Sequence, residues 1–348
     1  MTLEDDTEIE YKCNDFYYPQ YESGIMYDDK DLNVDWKLEE YRITELTLSE
    51  KDKKHQSFKE YTERYQGDYV LLTGANGQLG QGFQKLFDKL GVKYIATDYQ
   101  ELDITNKKKV RKYIENNNFT IIINCAAYNN VDKAEEEVEK CYALNAYAPK
   151  NLAEICKEKN KIFVTYSTDF IFDGEKEIPY TEEDIPNPLS VYSKSKLEGE
   201  KYSLKHEKSF IIRTSWVFGM GNNNFCKQVI NWSKSRDTLK IVDDQVSSPT
   251  YSKDLAEFSW DLIQTDKFGL YHFSNSGEAS KYEQAEYILK KIDWNGKLER
   301  AKTDDFPLKA KRAKYSKLDS SKIEKLLNKK IPYWKEGIDR FLEEYKNI

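Results

Sequence analysis

The stretch Asp68–Gly91, "DYVLLTGANGQLGQGFQKLFDKLG", decides how the rest of the chain is read. "DYVLLTG" is a short apolar run of strand length that ends in glycine. Beyond it Leu79, Phe83, Leu86, Phe87 and Leu90 recur at helical spacing. The order is therefore strand, tight turn, helix. Gly74, Gly77 and Gly80 form a GxxGxxG turn between the two elements. Glycine lets the backbone turn tightly and approach a diphosphate, whose charge meets the unpaired amides at the helix start. A purely structural glycine turn is the alternative. The placement favours a dinucleotide site built on Gly74, Gly77, Gln78, Leu79 and Gly80.

Outward from this unit the pattern repeats. "VKYIATD" (92–98) reads as a second strand, a helix follows near 107–117, and "TIIINCAA" (120–127) is an apolar third strand. Then come the helix "NAYAPKNLAEICKEKN", the strand "KIFVTYSTD", a helix over about 190–205 and the strand "SFIIRTSWVFG". Strands that alternate with helices, several of them apolar throughout, predict an α/β fold: a Rossmann-like, doubly wound parallel sheet over 68–220. Residues 221–348 are mixed in pattern and read as a smaller substrate-binding lobe, with some segments returning to the sheet domain. Residues 1–67, rich in Tyr, Asp and Glu, read as an amino-terminal extension ending in a charged linker.

Composition narrows the function. Of 348 residues 39% are hydrophobic and 33% charged, with a net charge of -7, which fits a folded protein with a strongly solvated surface. Lysines interspersed with acids do not make a nucleic-acid surface. No apolar stretch approaches a membrane span, and the acidic start "MTLEDDTEIE" lacks the features of a signal peptide, so the expected location is the cytoplasm. Cys13, Cys125, Cys141, Cys156 and Cys226 are odd in number and never spaced as CxxC, as for reduced thiols. With only His55, His206 and His272 beside them, no zinc site is expected. Surface carboxylates are too numerous to single out ligands for magnesium.

Asp98 ends the second strand, where a carboxylate can accept hydrogen bonds from the adenosine ribose. Its charge opposes a 2′-phosphate and the following "YQE" brings no arginine, so the expectation leans towards NADH and leaves NADPH open. Asp103 and Ile104 follow the loop where adenine would lie, and Ala126, Ala127 and Tyr128 end the strand passing the cofactor. Tyr192 precedes Lys196 by one helical turn in "VYSKSKLEGE", and Thr168 ends another strand of the same sheet. Among 26 tyrosines such a spacing arises by chance, and Tyr287 with Lys291 repeats it without a strand partner. Context distinguishes the first pair. Reducing a ketone takes a hydride donor, a proton for the oxygen and stabilisation of the alkoxide. Tyr192 can give the proton, Lys196 can lower its pKa and hold the nicotinamide ribose, and Thr168 can orient the carbonyl.

These segments, with "INCAAYNNVDKAE", "YSTDFIFDG", "RTSWVFG", "DQVSSPTYSKDLA" and "KYSKLDSSKIEKL", resemble in order the dTDP-4-dehydrorhamnose reductase family of extended short-chain dehydrogenases. The resemblance spans about 69 to the carboxyl terminus. It implies NAD(P)H-dependent reduction at C4 of dTDP-4-dehydro-L-rhamnose, the last step of dTDP-rhamnose synthesis for cell-surface polysaccharide. Tyr192 would be the proton donor, with Lys196 beside it and Thr168 assisting. By the same matching Tyr166 would touch the cofactor, and Thr168, Asp169 and Trp216 the sugar nucleotide. It leaves open a homodimer and association with a separate 3,5-epimerase. Phe170 for the commoner Tyr, Ser for Gly in "QVSSPT", and "KAKRAKYS" without its usual prolines leave details of sugar contact open. Other sugar-nucleotide enzymes of the superfamily are rivals, but nucleotide-sugar dehydratases carry an acid where Phe170 stands. A non-catalytic nucleotide-binding regulatory subunit is the rival from another class, and the retained Tyr192, Lys196 and Thr168 favour an enzyme.

"EYKCNDFYYPQYESGIMYDDKDLNVDW" (10–36) with "LTLSEKDKKH" (46–55) resembles the carboxyl-terminal third of dTDP-4-dehydrorhamnose 3,5-epimerase. Tyr11 matches its catalytic tyrosine and Asp52 the carboxylate partner of its catalytic histidine. The segment carrying that histidine has no counterpart in this sequence, and general-base chemistry needs its base. This polypeptide alone is therefore expected to have no epimerase activity. The check is deuterium exchange at C3 or C5 of the 4-keto-6-deoxyglucose nucleotide in D2O with no other enzyme added: none is expected, and exchange would refute the reading.

Overall fold

The computed structural model describes residues 69–346 continuously and, before them, residues 25–37, 40, 42, 48–50, 52–55 and 57. The chain divides into two units, Met1–Gly67 and Asp68–Ile348. In the first, the Trp36 indole donates to the Tyr27 carbonyl at 2.6 Å, and Asp29 accepts from the backbone amides of Asp31 and Leu32. Tyr11 and the side chain of Asp52 lie outside the described residues.

In the second unit six parallel strands form one sheet: β1 (Val70–Thr73), β2 (Tyr94–Thr97), β3 (Ile121–Asn124), β4 (Ile162–Thr168), β5 (Ser209–Thr214) and β6 (Gly269–His272). Their order is β6-β5-β4-β3-β1-β2. Chain order reverses between β1 and β3, the switch point where ligands gather in such sheets. Alternate residues of one strand feed opposite layers. Val70 and Leu72 of β1 pack with Phe83 and Phe87, whereas Leu71 packs with Val110, Ile114 and Leu152. The helices supplying these faces are α1 (Gln78–Leu90), α2 (Lys107–Glu115), α3 (Ala148–Glu158), α4 (Val191–Ser203) and α5 (Ser252–Ile263).

A second hydrophobic cluster in this unit is centred on Phe218, Val229, Ile241, Tyr251, Trp334 and Phe341, and α6 (Lys281–Lys291) contributes Ile288 to it. Two of the later segments return to the sheet. Strand β6 extends it beside β5, and Leu255 and Phe258 of α5 join the core that also holds Phe83 of α1. The sequence does not mark them, because β6 is four residues long within a mixed stretch. Two short helices, Val131–Ala134 and Val138–Tyr142, precede α3, and the start of the helix expected from Asn145 is instead part of a π-helical turn, Ala143–Tyr147.

The helix carrying Tyr192 and Lys196 is pinned to the sheet by buried charge. Glu200 accepts from Arg213 Nε at 3.0 Å and Nη2 at 2.5 Å, with both side chains 3% exposed. Arg213 Nη1 lies 3.2 Å from His272 Nε2, and His272 Nδ1 donates to the Tyr180 carbonyl at 3.0 Å. Burial pulls the His272 pKa down to about 3, so the ring is neutral and its Nε2 accepts from the guanidinium. Removing one partner of a buried pair leaves the other charge stranded. Glu200→Ala should lower unfolding free energy by about 3 kcal/mol in a urea titration, and Glu200→Ala with Arg213→Met should lose less.

Candidate active site

A cleft runs over the carboxyl ends of β1 to β4. One part, of about 390 Å³, is lined by Gly74, Asp98, Asp103, Ile104 and Ala126. The other, of about 520 Å³, is lined by Gln78, Leu79, Tyr166, Thr168, Tyr192, Lys196 and Trp216. Gly77, Cys125, Ala127, Asn129 and Asn222 border both, so the two parts are contiguous. Gly74 is in the left-handed region at φ 69°, and a Cβ there would lie 2.5 Å from the Ala126 nitrogen. A Cβ on Gly80 would lie 2.4 Å from the Gly74 carbonyl oxygen, so this glycine seats α1 on the turn and does not line the cleft. No side chain caps α1, whose N-cap is Gly77, and its first amides are left for an anion. These features fit a dinucleotide diphosphate.

Asp98 lines the cleft and also fastens the turn. Its carboxylate accepts from the Asn76 amide at 3.0 Å and the Tyr99 amide at 2.7 Å. Glu101 accepts from the Asp98 amide at 2.9 Å, which places a second carboxylate beside the first. Tyr128 turns away from the cleft, its hydroxyl donating to Glu137 at 2.8 Å.

Thr168, Tyr192 and Lys196 meet because β4 ends where α4 begins to cross it. Ser190 starts α4 with a reciprocal capping box to Ser193, which fixes the entry angle. Ser195 donates to the Tyr192 carbonyl at 2.7 Å and accepts from Asn145 Nδ2 at 3.1 Å. Asn145 also exchanges hydrogen bonds with the Tyr128 backbone at 2.8 and 3.0 Å, which ties the strand end after β3 to α4. No sequence motif announced Asn145 as a site residue, because its bonds to Tyr128 and Ser195 are tertiary facts.

Electrostatics differ from the simplest reading of a Tyr–Lys pair. The Lys196 ammonium donates to the Tyr166 carbonyl at 2.6 Å, and burial lowers its pKa to about 8. Burial raises the Tyr192 phenol well above its ordinary value, and the Thr168 hydroxyl only partly counters this. As the side chains stand, desolvation therefore outweighs any lowering of the phenol by Lys196. The phenol is held protonated.

Asp169 is buried and does not line the cleft. It accepts from the hydroxyls of Thr168 at 3.2 Å, Ser247 at 3.0 Å and Ser316 at 2.5 Å, so both oxygens are engaged within the protein. Trp216 borders the cleft with φ 45°, a strained conformation for a bulky residue. Among the described residues eight buried side-chain polar atoms lack a hydrogen-bond partner, and five of them, Gln78 Oε1, Tyr166 Oη, Ser167 Oγ, Thr214 Oγ1 and Trp216 Nε1, belong to cleft residues. Orphaned polar atoms concentrated in one cleft are what a polar ligand would satisfy. Tyr287 and Lys291 instead both bond Asp339, at 3.0 and 2.9 Å, and take no part in the cleft.

A glycine turn before a helix at the switch point, with Thr, Tyr and Lys converging on the same cleft, defines an NAD(P)H-dependent oxidoreductase of the short-chain dehydrogenase type. Residues 68–347 match the family described as the RmlD substrate binding domain. The chain belongs to that family, the dTDP-4-dehydrorhamnose reductases. It is 40% identical over 283 residues to the dTDP-4-dehydrorhamnose reductase of Aggregatibacter actinomycetemcomitans, covering 77% of this chain and 96% of that one. The solved dTDP-4-dehydrorhamnose reductase of Clostridium acetobutylicum is similar at TM-score 0.77 and 40% identity, over 80% of this chain and 99% of that one. That of Bacillus anthracis, in complex with NADP, gives TM-score 0.77 and 36% identity over the same shares. Residues 1–60 match the dTDP-4-dehydrorhamnose 3,5-epimerase family.

A lysine whose folded pKa lies below its unfolded value of 10.5 binds fewer protons when folded. Its burial therefore costs stability below pH 8, and the cost fades as pH rises towards 10.5. Lys196→Met is expected to raise the melting temperature at pH 7, by about 2 kcal/mol in stability terms, and to gain little at pH 10. Differential scanning calorimetry at the two pH values checks both the sign and the window.

Proposed function

We propose that this chain reduces the C4 ketone of dTDP-4-dehydro-L-rhamnose to dTDP-L-rhamnose with NAD(P)H, the last step of dTDP-rhamnose synthesis. The observation that carries this is the convergence of Thr168, Tyr192 and Lys196 in one cleft of about 520 Å³ contiguous with the glycine turn. NAD(P)H supplies the hydride when bound, held by Gly74, Gly77, Gln78 and Leu79 at its diphosphate and by Asp98, Asp103 and Ile104 at its adenosine end. Tyr192 gives its proton to the C4 oxygen. The Thr168 hydroxyl, turning its one proton from Asp169 to the same oxygen, orients it. Lys196 stabilises the phenolate left behind, since a buried ammonium near an anion regains the charge partner that desolvation removed. A phenol held protonated by burial suits the direction of reduction.

Asp98 and Glu101 together favour an unphosphorylated adenosine ribose, which supports NADH as the preferred donor. The relative from Bacillus anthracis was solved with NADP, so the comparison of KM for NADH and NADPH is the relevant measurement. No helix among the described residues is long and apolar enough to cross a membrane. A cytoplasmic enzyme, a homodimer, and a separate 3,5-epimerase supplying the keto sugar complete the reading. Support for the last is the match of residues 1–60 to that epimerase family.

Cofactor oxidation followed at 340 nm with the 3,5-epimerised dTDP-keto sugar tests the assignment. Wild type should oxidise NADH or NADPH, and Tyr192→Phe should lose about 100-fold or more in kcat. Full activity in Tyr192→Phe would remove the tyrosine from its role.

A further inference from the structure

Lys281, the first residue of α6, holds its ammonium against aromatic faces. Its ammonium lies 3.4 Å from the centroid of the Trp216 ring and 4.6 Å from that of Phe225. Among the described residues no carboxylate forms an ion pair with it. Each nearby acid is already committed. Asp169 accepts from three hydroxyls, and Glu283 closes the capping box of α6 by accepting from the Ser280 amide at 2.7 Å. The neighbouring cation Arg312 is held by Asp132, with Nη2 to carboxylate at 2.6 Å. A cation at a helix start also opposes the helix dipole. Burial lowers the Lys281 pKa to about 7, with Asp169 and Cys226 pulling the other way and Arg312 adding to the fall.

Trp216 marks where the missing charge belongs. Lys281 stacks on this ring, which lines the cleft beside Thr168 and Tyr192, sits in a strained conformation and presents an unpaired buried Nε1–H. Trp216 brings two irregularities to the part of the cleft that holds Thr168 and Tyr192, a strained backbone and an unsatisfied donor, and the Lys281 ammonium against its ring is a third. Strain and unpaired charge of this kind persist where a ligand completes the site. We propose that Lys281 is a substrate-binding residue that pairs with phosphate oxygens of the nucleotide sugar's diphosphate, with Trp216 as the platform that aims it. This rests on the sugar-nucleotide reading above. The cofactor's own diphosphate belongs to the start of α1, so cofactor binding should not depend on Lys281.

Isothermal titration of dTDP, thymidine and NADPH into wild type, Lys281→Gln and Lys281→Arg separates these contributions. Loss of one charge-assisted contact predicts a dTDP Kd raised about 10- to 100-fold in Lys281→Gln, with Lys281→Arg recovering most of it. Thymidine, which has no phosphate, and NADPH should bind all three proteins within about twofold of each other. Equal dTDP affinity in wild type and Lys281→Gln would overturn the proposal, as would a parallel loss of NADPH affinity. If Lys281→Gln does not fold, Lys281→Arg and Lys281→Met carry the same comparison. Turnover is not part of the readout: a Lys281-dependent dTDP affinity with no keto-sugar reduction by wild type would leave this assignment standing and remove the reductase reading instead.

Discussion

The site depends on an ammonium kept where water is scarce. Lys196 is 8% exposed and donates to one backbone carbonyl, that of Tyr166. An amine in that position tends to lose its proton, and its pKa falls to about 8. The surrounding structure makes the position tolerable. Glu200, one turn further along α4, favours the charged form; Arg213 holds Glu200 in turn, and neutral His272 accepts from Arg213. On an adjoining face of the helix, a Cβ on Gly199 would lie 2.1 Å from the Asn145 carbonyl oxygen, so α4 approaches the π-helical turn as closely as backbone allows. The helix cannot slide without breaking one of these contacts.

Thr168 is fixed by a different device. Asp169 beside it joins three segments distant in sequence, through the hydroxyls of Thr168, Ser247 and Ser316. Burial raises its pKa to about 6, yet three hydroxyl donors keep the carboxylate within reach of ionisation at neutral pH. The segments carrying Ser247 and Ser316 belong to the later part of the chain, so the clasp couples formation of that part to the placement of Thr168 at the end of β4. The Asp that family resemblance reads as a sugar contact thus has its hydrogen bonds turned inward, to Thr168, Ser247 and Ser316.

What was legible in the sequence follows from periodicity and local stereochemistry. The β1–turn–α1 unit declared itself because apolar continuity, glycine spacing and helical period agree over a single stretch. The same agreement made β3, β4 and α4 readable, and with them Thr168, Tyr192 and Lys196. Asn145 opens the expected helix "NAYAPKNLAEICKEKN", but its bonds to Tyr128 and Ser195 are tertiary facts, and Asn222 lies in irregular backbone where no period exists. Lys281 stood in an ordinary amphipathic helix, and only the fold brings it onto Trp216. Strand β6 shows the limit for secondary structure: four residues in a mixed stretch are assigned by pairing with β5, which is a tertiary fact. The direction of the Tyr192 pKa was equally hidden, since spacing reveals the neighbouring charge but not the depth of burial.

The central claim is that this cleft delivers a hydride and a proton to the two ends of one carbonyl. Reduction of the 3,5-epimerised dTDP-keto sugar with nicotinamide cofactor carrying deuterium at both C4 positions, in ordinary water, tests it most directly. The expected product is a dTDP-6-deoxyhexose carrying one deuterium at sugar C4, seen by mass spectrometry and by loss of the H4 proton resonance. A product with no deuterium at C4, or cofactor oxidation without reduction of the sugar, would contradict it.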